Sequence, residues 1–326
     1  MHQEPADQLA DKVRFLTIAM GRAPDRVVPS PVELGYRARV SLSGDAAGRL
    51  GYHKPRSHEL VAVDACAVAV PEVNAVLGRL PLLPGVTRAE LRSDGQRVVL
   101  AVDTRDERGK PGPKVAALKG LLAQLPIADL GLAGVAVDGH GVAGEVLLRF
   151  DVGGLEHRLS PDTFYQVNLA VNAALVAAVG EAAEEAEALL DLYAGAGNLS
   201  LPLLAKGRRA TLIESSHAAV GDARRTIKAH GLPGEVKTGD AGRYRAGDAV
   251  FDVALLDPPR AGAGALVTEL LVTRPRRIVY VSCNPVALAR DLKPARKAGY
   301  DIVHLALFDM FPQTKHMESL CVLARA

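Results

Sequence analysis

Leu189-Leu190-Asp191-Leu192-Tyr193-Ala194-Gly195-Ala196-Gly197-Asn198 is the stretch on which the fold turns. A short apolar run ends in a glycine-bearing turn, and the residues that follow, Leu199 to Ala205, read as a helix. Parallel α/β sheets hold ligands at such a turn, because glycine lets the backbone bend tightly and approach a ligand closely. A lone G-x-G is weak evidence. No third glycine completes a dinucleotide fingerprint, and no Gly-Lys-Ser/Thr completes a phosphate loop. Glu214, however, ends the next apolar strand, where a carboxylate can take two ribose hydroxyls. The implied ligand is a nucleoside without a pyrophosphate, and S-adenosylmethionine fits.

Outward from this stretch, apolar strands alternate with helices. Leu189 to Tyr193, Ala210 to Glu214, Phe251 to Asp257, Arg277 to Ser282 and Ile302 to Leu307 read as strands, and Ser319 to Leu323 as a last one expected to run antiparallel. Ala218 to His230, Ala265 to Thr273 and Val286 to Lys297 read as helices between them. Such alternation predicts an α/β doubly wound sheet over 160–326, with ligands at the carboxyl ends of its strands. Asp240, after the third strand, is placed to reach an adenine amine, though a solvated loop acid explains it equally well.

Upstream, 1–30 reads as a helix from Ala6 to Met20 (Leu9, Val13, Leu16 and Met20 at helical spacing) and a Pro/Ser-rich linker. Residues 31–159 read as a separate α+β domain, with strands and turns from 34 to 70, a helix from Val73 to Leu80, a strand from Arg97 to Val102, a loop from Arg108 to Lys114 and a helix from Val115 to Leu125. The segment Tyr36 to His58 carries Arg37, Arg39, Arg49, Lys54 and Arg56 interleaved with Tyr36, Tyr52, His53 and His58. Cations mixed with flat rings suit RNA, since phosphates take the charges and unstacked bases the rings. A solvated charged edge is the plainer alternative. The chain has 326 residues and a net charge of only +2, so nucleic-acid binding must come from a local patch. Three scattered cysteines, Cys66, Cys283 and Cys321, form neither a disulfide framework nor metal-ligand spacing. The beginning of the chain has no signal-peptide pattern and no apolar run reaches membrane-spanning length, so a cytoplasmic protein without membrane partners is expected.

Three further stretches carry chemistry. Asp257-Pro-Pro-Arg260 ends a strand, and consecutive prolines stiffen the turn that presents the carboxylate. Ser282-Cys283-Asn284-Pro285 ends the next strand; on this stretch alone, Cys283 reads more readily as a small core side chain than as a nucleophile. Asp309 to Ser319 places His316 and Glu318 just before the last strand, where a Glu can accept a proton. Adjacent strands in a doubly wound sheet bring these together, which turns Cys283 into a candidate nucleophile.

Together these motifs resemble the RNA uridine-5-methyltransferases, most closely the branch acting on 23S ribosomal RNA. The resemblance runs from Ser160 to Ala326, includes Phe164-Tyr-Gln166-Val-Asn168, and extends loosely upstream through Tyr36-Arg37-Ala-Arg39, Gly51 to Lys54 and Ser57 to Val61. It implies a class I methyltransferase (Rossmann-like) fold with an antiparallel last strand, plus the N-terminal α+β domain. It further implies S-adenosylmethionine held by Gln166, Tyr193, Gly195, Gly197, Asn198, Glu214, Asp240 and Asp257. Cys283 would be the nucleophile at carbon 6 of uracil, Glu318 the base for the carbon 5 proton, and Asp257 an orienting group. RNA contacts are expected at Tyr36, Arg37, Arg39, Lys54, Arg56 and His316. The substrate is expected to be ribosomal RNA, with transfer RNA as the alternative, and the enzyme a monomer. Many family members have an N-terminal RNA-binding β-barrel and an iron–sulfur cluster on four cysteines. Only Cys66 matches one of those cysteines, so no cluster is expected, and the barrel too is expected to be absent. Two competing readings are an RNA-binding or ribosome-assembly factor that has lost catalysis and a cytosine-5 methyltransferase.

Overall fold

The computed structural model describes residues 4–105, 110, 115–245 and 251–325. In chain order the elements are α1 (Pro5–Met20), β1 (Arg26–Val28), β2 (Arg39–Gly44), β3 (Leu50–His53), β4 (Leu60–Ala62), α2 (Pro71–Leu77), β5 (Arg88–Ser93), β6 (Val98–Val102), α3 (Val115–Ala123), α4 (Ile127–Leu130), β7 (Leu132–Val137), β8 (His140–Gly144), β9 (Leu148–Val152) and β10 (Leu155–Leu159). They continue as α5 (Leu169–Ala182), β11 (Ala188–Leu192), α6 (Leu201–Ala205), β12 (Arg209–Glu214), α7 (His217–His230), β13 (Gly234–Thr238), β14 (Val253–Leu256), α8 (Leu266–Leu270), β15 (Arg277–Ser282), α9 (Pro285–Asp291), α10 (Lys293–Lys297), β16 (Tyr300–Phe308) and β17 (Glu318–Arg325). Two compact units result: Met1–Glu33, Asp151–His157 and Thr163–Ala326 form one, Leu34–Phe150 and Arg158–Asp162 the other.

The larger unit is built on one sheet in the order β1-β16-β17-β15-β14-β11-β12-β13. Strands β13, β12, β11, β14 and β15 run parallel, and β17 inserts antiparallel between β15 and β16. This is the doubly wound arrangement read from the sequence, antiparallel last strand included. Sequence and burial agree for a physical reason: β14 (Val-Ala-Leu-Leu) is buried throughout and β15 nearly so, as central strands covered on both faces must be. Tyr280 and Ile278 of β15, Leu256 of β14 and Cys321 of β17 share one core with Leu16 and Met20 of α1.

That last contact corrects the expected boundaries. The first thirty residues are not an appended helix and linker. β1 lies within the Pro/Ser stretch and pairs in parallel with β16, Val27 opposite Leu307. Asp25 supports it by accepting the Leu305 N–H at 2.8 Å. Three residues flanked by prolines are too short for a periodicity signal. α1 starts with Pro at its first turn and stops at Gly21, whose φ of 69° forms the left-handed cap. The single helix expected from Val286 to Lys297 is two short helices, because Pro294 has no N–H to continue the first ladder.

The smaller unit is a seven-stranded sheet in the order β4-β3-β2-β5-β6-β7-β8, antiparallel except for β6 with β7. α2, α3 and α4 supply Val73, Val76, Leu77, Leu118, Leu122 and Leu130 to its core. The loop expected from Arg108 to Lys114 lies, Lys110 apart, outside the described residues. Among the described residues no helix is long and apolar enough to cross a membrane.

Candidate active site

Register places the reactive groups. Leu192 of β11 pairs with Leu256 of β14, and Leu256 with Tyr280 of β15, so β11 and β14 end level and β15 runs two residues further to Ser282. Ser282 pairs with Ser319 across the antiparallel β15–β17 ladder, and the Ser319 hydroxyl donates to the Ser282 carbonyl at 2.9 Å. One residue beyond that pair stand Cys283 and Glu318. Asp257 follows directly after β14 on the neighbouring strand. Cys283, Glu318 and Asp257, far apart in sequence, thus come to one sheet edge.

Their electrostatics follow from burial without a cation of matching strength. Glu318 is 5% exposed, and one of its carboxylate oxygens, Oε2, has no partner among the described residues. Burial and then the negative charge of Asp257 push its pKa well above the ordinary carboxylate value. Burial likewise raises Asp257 to about 7. Cys283 is half-buried; desolvation, then Glu318 and Asp257, raise its thiol to about 11, against a smaller opposing pull from Arg260. The edge therefore holds a thiol beside two buried carboxyl groups raised above the ordinary carboxylate range, a setting suited to general acid–base chemistry. Cys321, by contrast, is fully buried in β17 and raised to about 12 by burial; it packs rather than reacts.

A hydrogen-bonded frame fixes the two loops that carry Asp257 and Cys283. Asn284 caps α9, accepting from the backbone of Val286 and Ala287. Its amide donates to the Arg260 carbonyl at 3.0 Å, tying the Asp-Pro-Pro-Arg turn to the cysteine turn. Asp291, at the other end of α9, accepts from Ala263 N–H at 2.7 Å, Gly264 N–H at 3.1 Å and the Tyr280 hydroxyl at 2.8 Å. Gly262, at φ 89°, must be glycine, since a Cβ there would collide with the Asp291 carboxylate.

The glycine turn after β11 has the open backbone that a closely held ligand requires. Gly195 and Gly197 adopt φ of 56° and 87°. Tyr193 adopts φ 61°, strain for a non-glycine residue of the kind found at ligand clamps. Glu214 accepts from Gly195 N–H at 2.9 Å, Ser216 N–H at 2.7 Å and the Ser215 hydroxyl at 3.2 Å, which leaves lone-pair capacity for one ribose hydroxyl. Asn198 and Asn172 exchange reciprocal side-chain bonds, and Asn168 caps α5, so the buried Gln166 segment is tied to the glycine turn. Asp240 accepts Gly242 N–H, and its charge, after burial, raises the Tyr193 phenol. A group fit follows from Asp191: its Oδ2 is buried without a partner among the described residues. Burial, opposed by the Ser200 hydroxyl, and the charges of Asp257 and Glu214 raise it to about 7. Three acids at one edge suit a cationic sulfonium and a ribose.

A cavity of about 660 Å³ opens beside Cys283, with Arg260, Lys315 and His316 on its wall. His316 stands edge-on to the Phe311 ring, centroids 6.3 Å apart. α1 closes another side: Lys12, 3% exposed, donates to Asp309 at 2.6 Å and to the Phe311 carbonyl at 3.0 Å, and Gln8 donates to Gln313 at 3.0 Å. Sequence reasoning missed Asp191, Asp291 and Lys12 as site residues. The acid inside Leu-Leu-Asp-Leu was the available signal for Asp191, since a carboxylate is costly to bury alone.

Of the residues expected to touch RNA, Tyr36 requires correction. It is 4% exposed, packed within the smaller unit, and offers no free ring for a base. Arg37 and Arg39 are half-buried, Lys54 is exposed and paired with Glu59, and Arg56 is exposed at φ 61°. Among the described residues no cluster of three or more His, Cys, Asp or Glu side chains could hold a metal.

Comparison with known proteins agrees with this geometry. The family profile described as tRNA (Uracil-5-)-methyltransferase matches residues 244–326, and that of the methyltransferase small domain matches 172–278. The 23S rRNA (uracil(1939)-C(5))-methyltransferase RlmD of Cronobacter sakazakii is 34% identical, over 99% of this chain and 78% of its own length. The Pyrococcus abyssi tRNA (uracil-54, C5)-methyltransferase, solved in complex with S-adenosyl-L-homocysteine, superposes with a TM-score of 0.82 at 25% identity, over 99% of this chain and 84% of that one. Pyrococcus horikoshii TYW2 in complex with MeSAdo shares the fold at a TM-score of 0.51 and 17% identity, over 78% of this chain and 98% of that one.

Proposed function

The chain belongs to the family of S-adenosylmethionine-dependent RNA uracil-C5-methyltransferases, and from that premise we propose that it methylates carbon 5 of a uridine in 23S ribosomal RNA through a covalent bond to Cys283. The observation that supports this reading is the β15–β17 register, whose last pair, Ser282 with Ser319, lies one residue from Cys283 and one from Glu318. The likeness to RlmD favours ribosomal over transfer RNA as substrate.

Carbon 5 of uracil is a poor nucleophile until a thiolate adds at carbon 6. Because the Cys283 thiol is raised to about 11, its proton must leave as the sulfur adds, and Asp257, whose charge acts on the thiol, is the group available to accept it. Bound at the glycine turn, S-adenosylmethionine would supply the methyl group to carbon 5, its methyl–sulfur bond breaking to leave S-adenosylhomocysteine. Gln166, Tyr193, Asn198, Glu214 and Asp240 would hold that donor. Glu318 then accepts the carbon 5 proton, the carbon 6–sulfur bond breaks, and Cys283 leaves as thiolate to recover a proton. Burial keeps Glu318 short of solvent partners, which strengthens it as a base once ionised. The target base must leave its stack to reach Cys283, so a flipped or single-stranded uridine is required. We place the activity in the cytoplasm.

The test is methyl transfer from labelled S-adenosylmethionine to unmodified 23S rRNA and, separately, to unmodified tRNA. Formation of 5-methyluridine in the first and its loss in Cys283→Ala support the reading. Methylation of tRNA alone would move the substrate, and 5-methylcytidine as product would overturn the uracil assignment.

A further inference from the structure

The N-terminal helix α1 presents an aromatic ring to the same cavity that holds Cys283. Phe15 lies off the helix's inward stripe of Leu9, Val13, Leu16 and Met20, and is 47% exposed. A single exposed aromatic is ordinary on a protein surface. Phe15 differs because it lines the cavity beside Cys283, together with the cations Arg260 and Lys315. Its position is fixed rather than incidental. The Lys12 and Gln8 bonds hold α1 to the loop that leads into Glu318, and α1 packs on α9, the helix that follows Cys283.

The cavity, about 660 Å³, is within the range that encloses a drug-sized ligand, about 300–1,000 Å³. A single pyrimidine ring at Cys283 leaves much of it open. A uridine drawn out of its stack also leaves the neighbouring base with one bare face, part of the few kcal/mol that flipping costs. An aromatic ring at the cavity wall with cations nearby is the combination that binds single-stranded nucleic acid: the ring stacks on a base and the cations meet phosphates. Resting on the methyltransferase reading above, we propose that Phe15 is the stacking platform for the nucleobase adjacent to the target uridine, with Arg260 and Lys315 taking the backbone phosphates. Stacking uses the face of a base and not its hydrogen-bonding edge, so this subsite accepts any base at that position.

The test compares wild type, Phe15→Ala, Phe15→Leu and Phe15→Trp on an RNA oligonucleotide containing the target uridine, with an abasic site placed on each flank in turn. Phe15→Ala raises KM for the RNA by about 5- to 150-fold, the effect of losing one base–aromatic stack. The KM for S-adenosylmethionine stays unchanged. Phe15→Trp restores RNA affinity and Phe15→Leu, apolar but without a ring face, does not. On one flank the abasic substrate weakens wild type by a similar factor and leaves Phe15→Ala unaffected, a dependence that mere structural support by Phe15 would not produce. Equal losses for wild type and Phe15→Ala on both abasic substrates, or full rescue by Phe15→Leu, overturn the proposal while wild-type methylation of the oligonucleotide leaves the methyltransferase reading intact. No methylation by wild type overturns both.

Discussion

Asp291 is the residue whose removal should disturb the active edge most without touching substrate. It is 2% exposed and receives hydrogen bonds from the Ala263 and Gly264 N–H groups, from the Tyr280 hydroxyl, and from Arg290 Nε at 2.8 Å. Asp291→Ala removes all four and strands donors in the core. The Tyr280 hydroxyl also accepts from Ala263 N–H, so that amide keeps one partner. Each lost bond to a charged group contributes about 1.5–3 kcal/mol, and a backbone N–H left buried without a partner carries a desolvation cost of about 1–3 kcal/mol. With partial compensation at Ala263, about 3–4 kcal/mol is expected by the same reasoning. At roughly 2–4 °C per kcal/mol for a unit of this size, melting falls by about 6–16 °C. Tyr280→Phe, which removes the hydroxyl that donates to the Asp291 carboxylate and accepts from Ala263 N–H, costs about 1.5–3 kcal/mol. Thermal melts of both variants, with methyl transfer assayed well below either midpoint, read the two effects apart. Because Asp291 holds the turn bearing Asp257 and Arg260, folded Asp291→Ala should also lose turnover. An Asp291→Ala protein melting within 2 °C of wild type, a shift of less than about 1 kcal/mol, would refute the reasoning.

Other consequences can be measured in the same way. Asp191 and Asp257 carry folded-state pKa values raised to about 7, above their unfolded values, so the folded protein binds more protons between about pH 4 and 7. Their contribution to the stability of the ligand-free protein therefore falls as pH rises through that window; Asp191→Asn should flatten the pH dependence of the melt, and an unchanged slope would contradict it. With its thiol raised to about 11, Cys283 alkylation by iodoacetamide, followed by peptide mass, should keep accelerating with pH through 9, whereas a plateau near 7 would show a thiolate already formed. Lys12→Met leaves Asp309, 14% exposed, without its cation and should cost about 2–4 kcal/mol; adding Asp309→Leu should recover part of that, and strictly additive losses in chemical denaturation would argue against the pair. Gly197→Ala places a Cβ 2.5 Å from Leu201 at φ 87° and should weaken S-adenosylmethionine binding in calorimetry by at least tenfold, with unchanged affinity counting against the turn.

The catalytic unit was legible where chemistry and periodicity coincided. β15 was read at its full length, Arg277 to Ser282, because an apolar run stops at a polar Ser-Cys-Asn-Pro turn. The last strand was expected to run antiparallel, which put Glu318 at the ligand-binding edge, and the register's final pair, Ser282 with Ser319, lies one residue from it and one from Cys283. What was not legible depended on contacts distant in sequence. β1 is three residues long and is defined by its pairing with β16, almost 280 residues away in the chain. Lys12 looks like any surface lysine until Asp309 and the Phe311 carbonyl are brought to it. Tyr36 failed as an RNA contact because composition reports which rings are present and not which way they face; burial decided against it.

The account rests on a covalent bond between Cys283 and carbon 6 of a uridine. 5-Fluorouridine at the target position cannot release the proton that Glu318 would accept, so the bond should persist. Wild-type protein incubated with such a 23S rRNA fragment and S-adenosylmethionine is predicted to carry a stable RNA adduct, which peptide mass spectrometry maps to Cys283 and which Cys283→Ala does not form. An adduct mapped to Cys66 or Cys321, or normal 5-methyluridine formation by Cys283→Ala, would contradict the account.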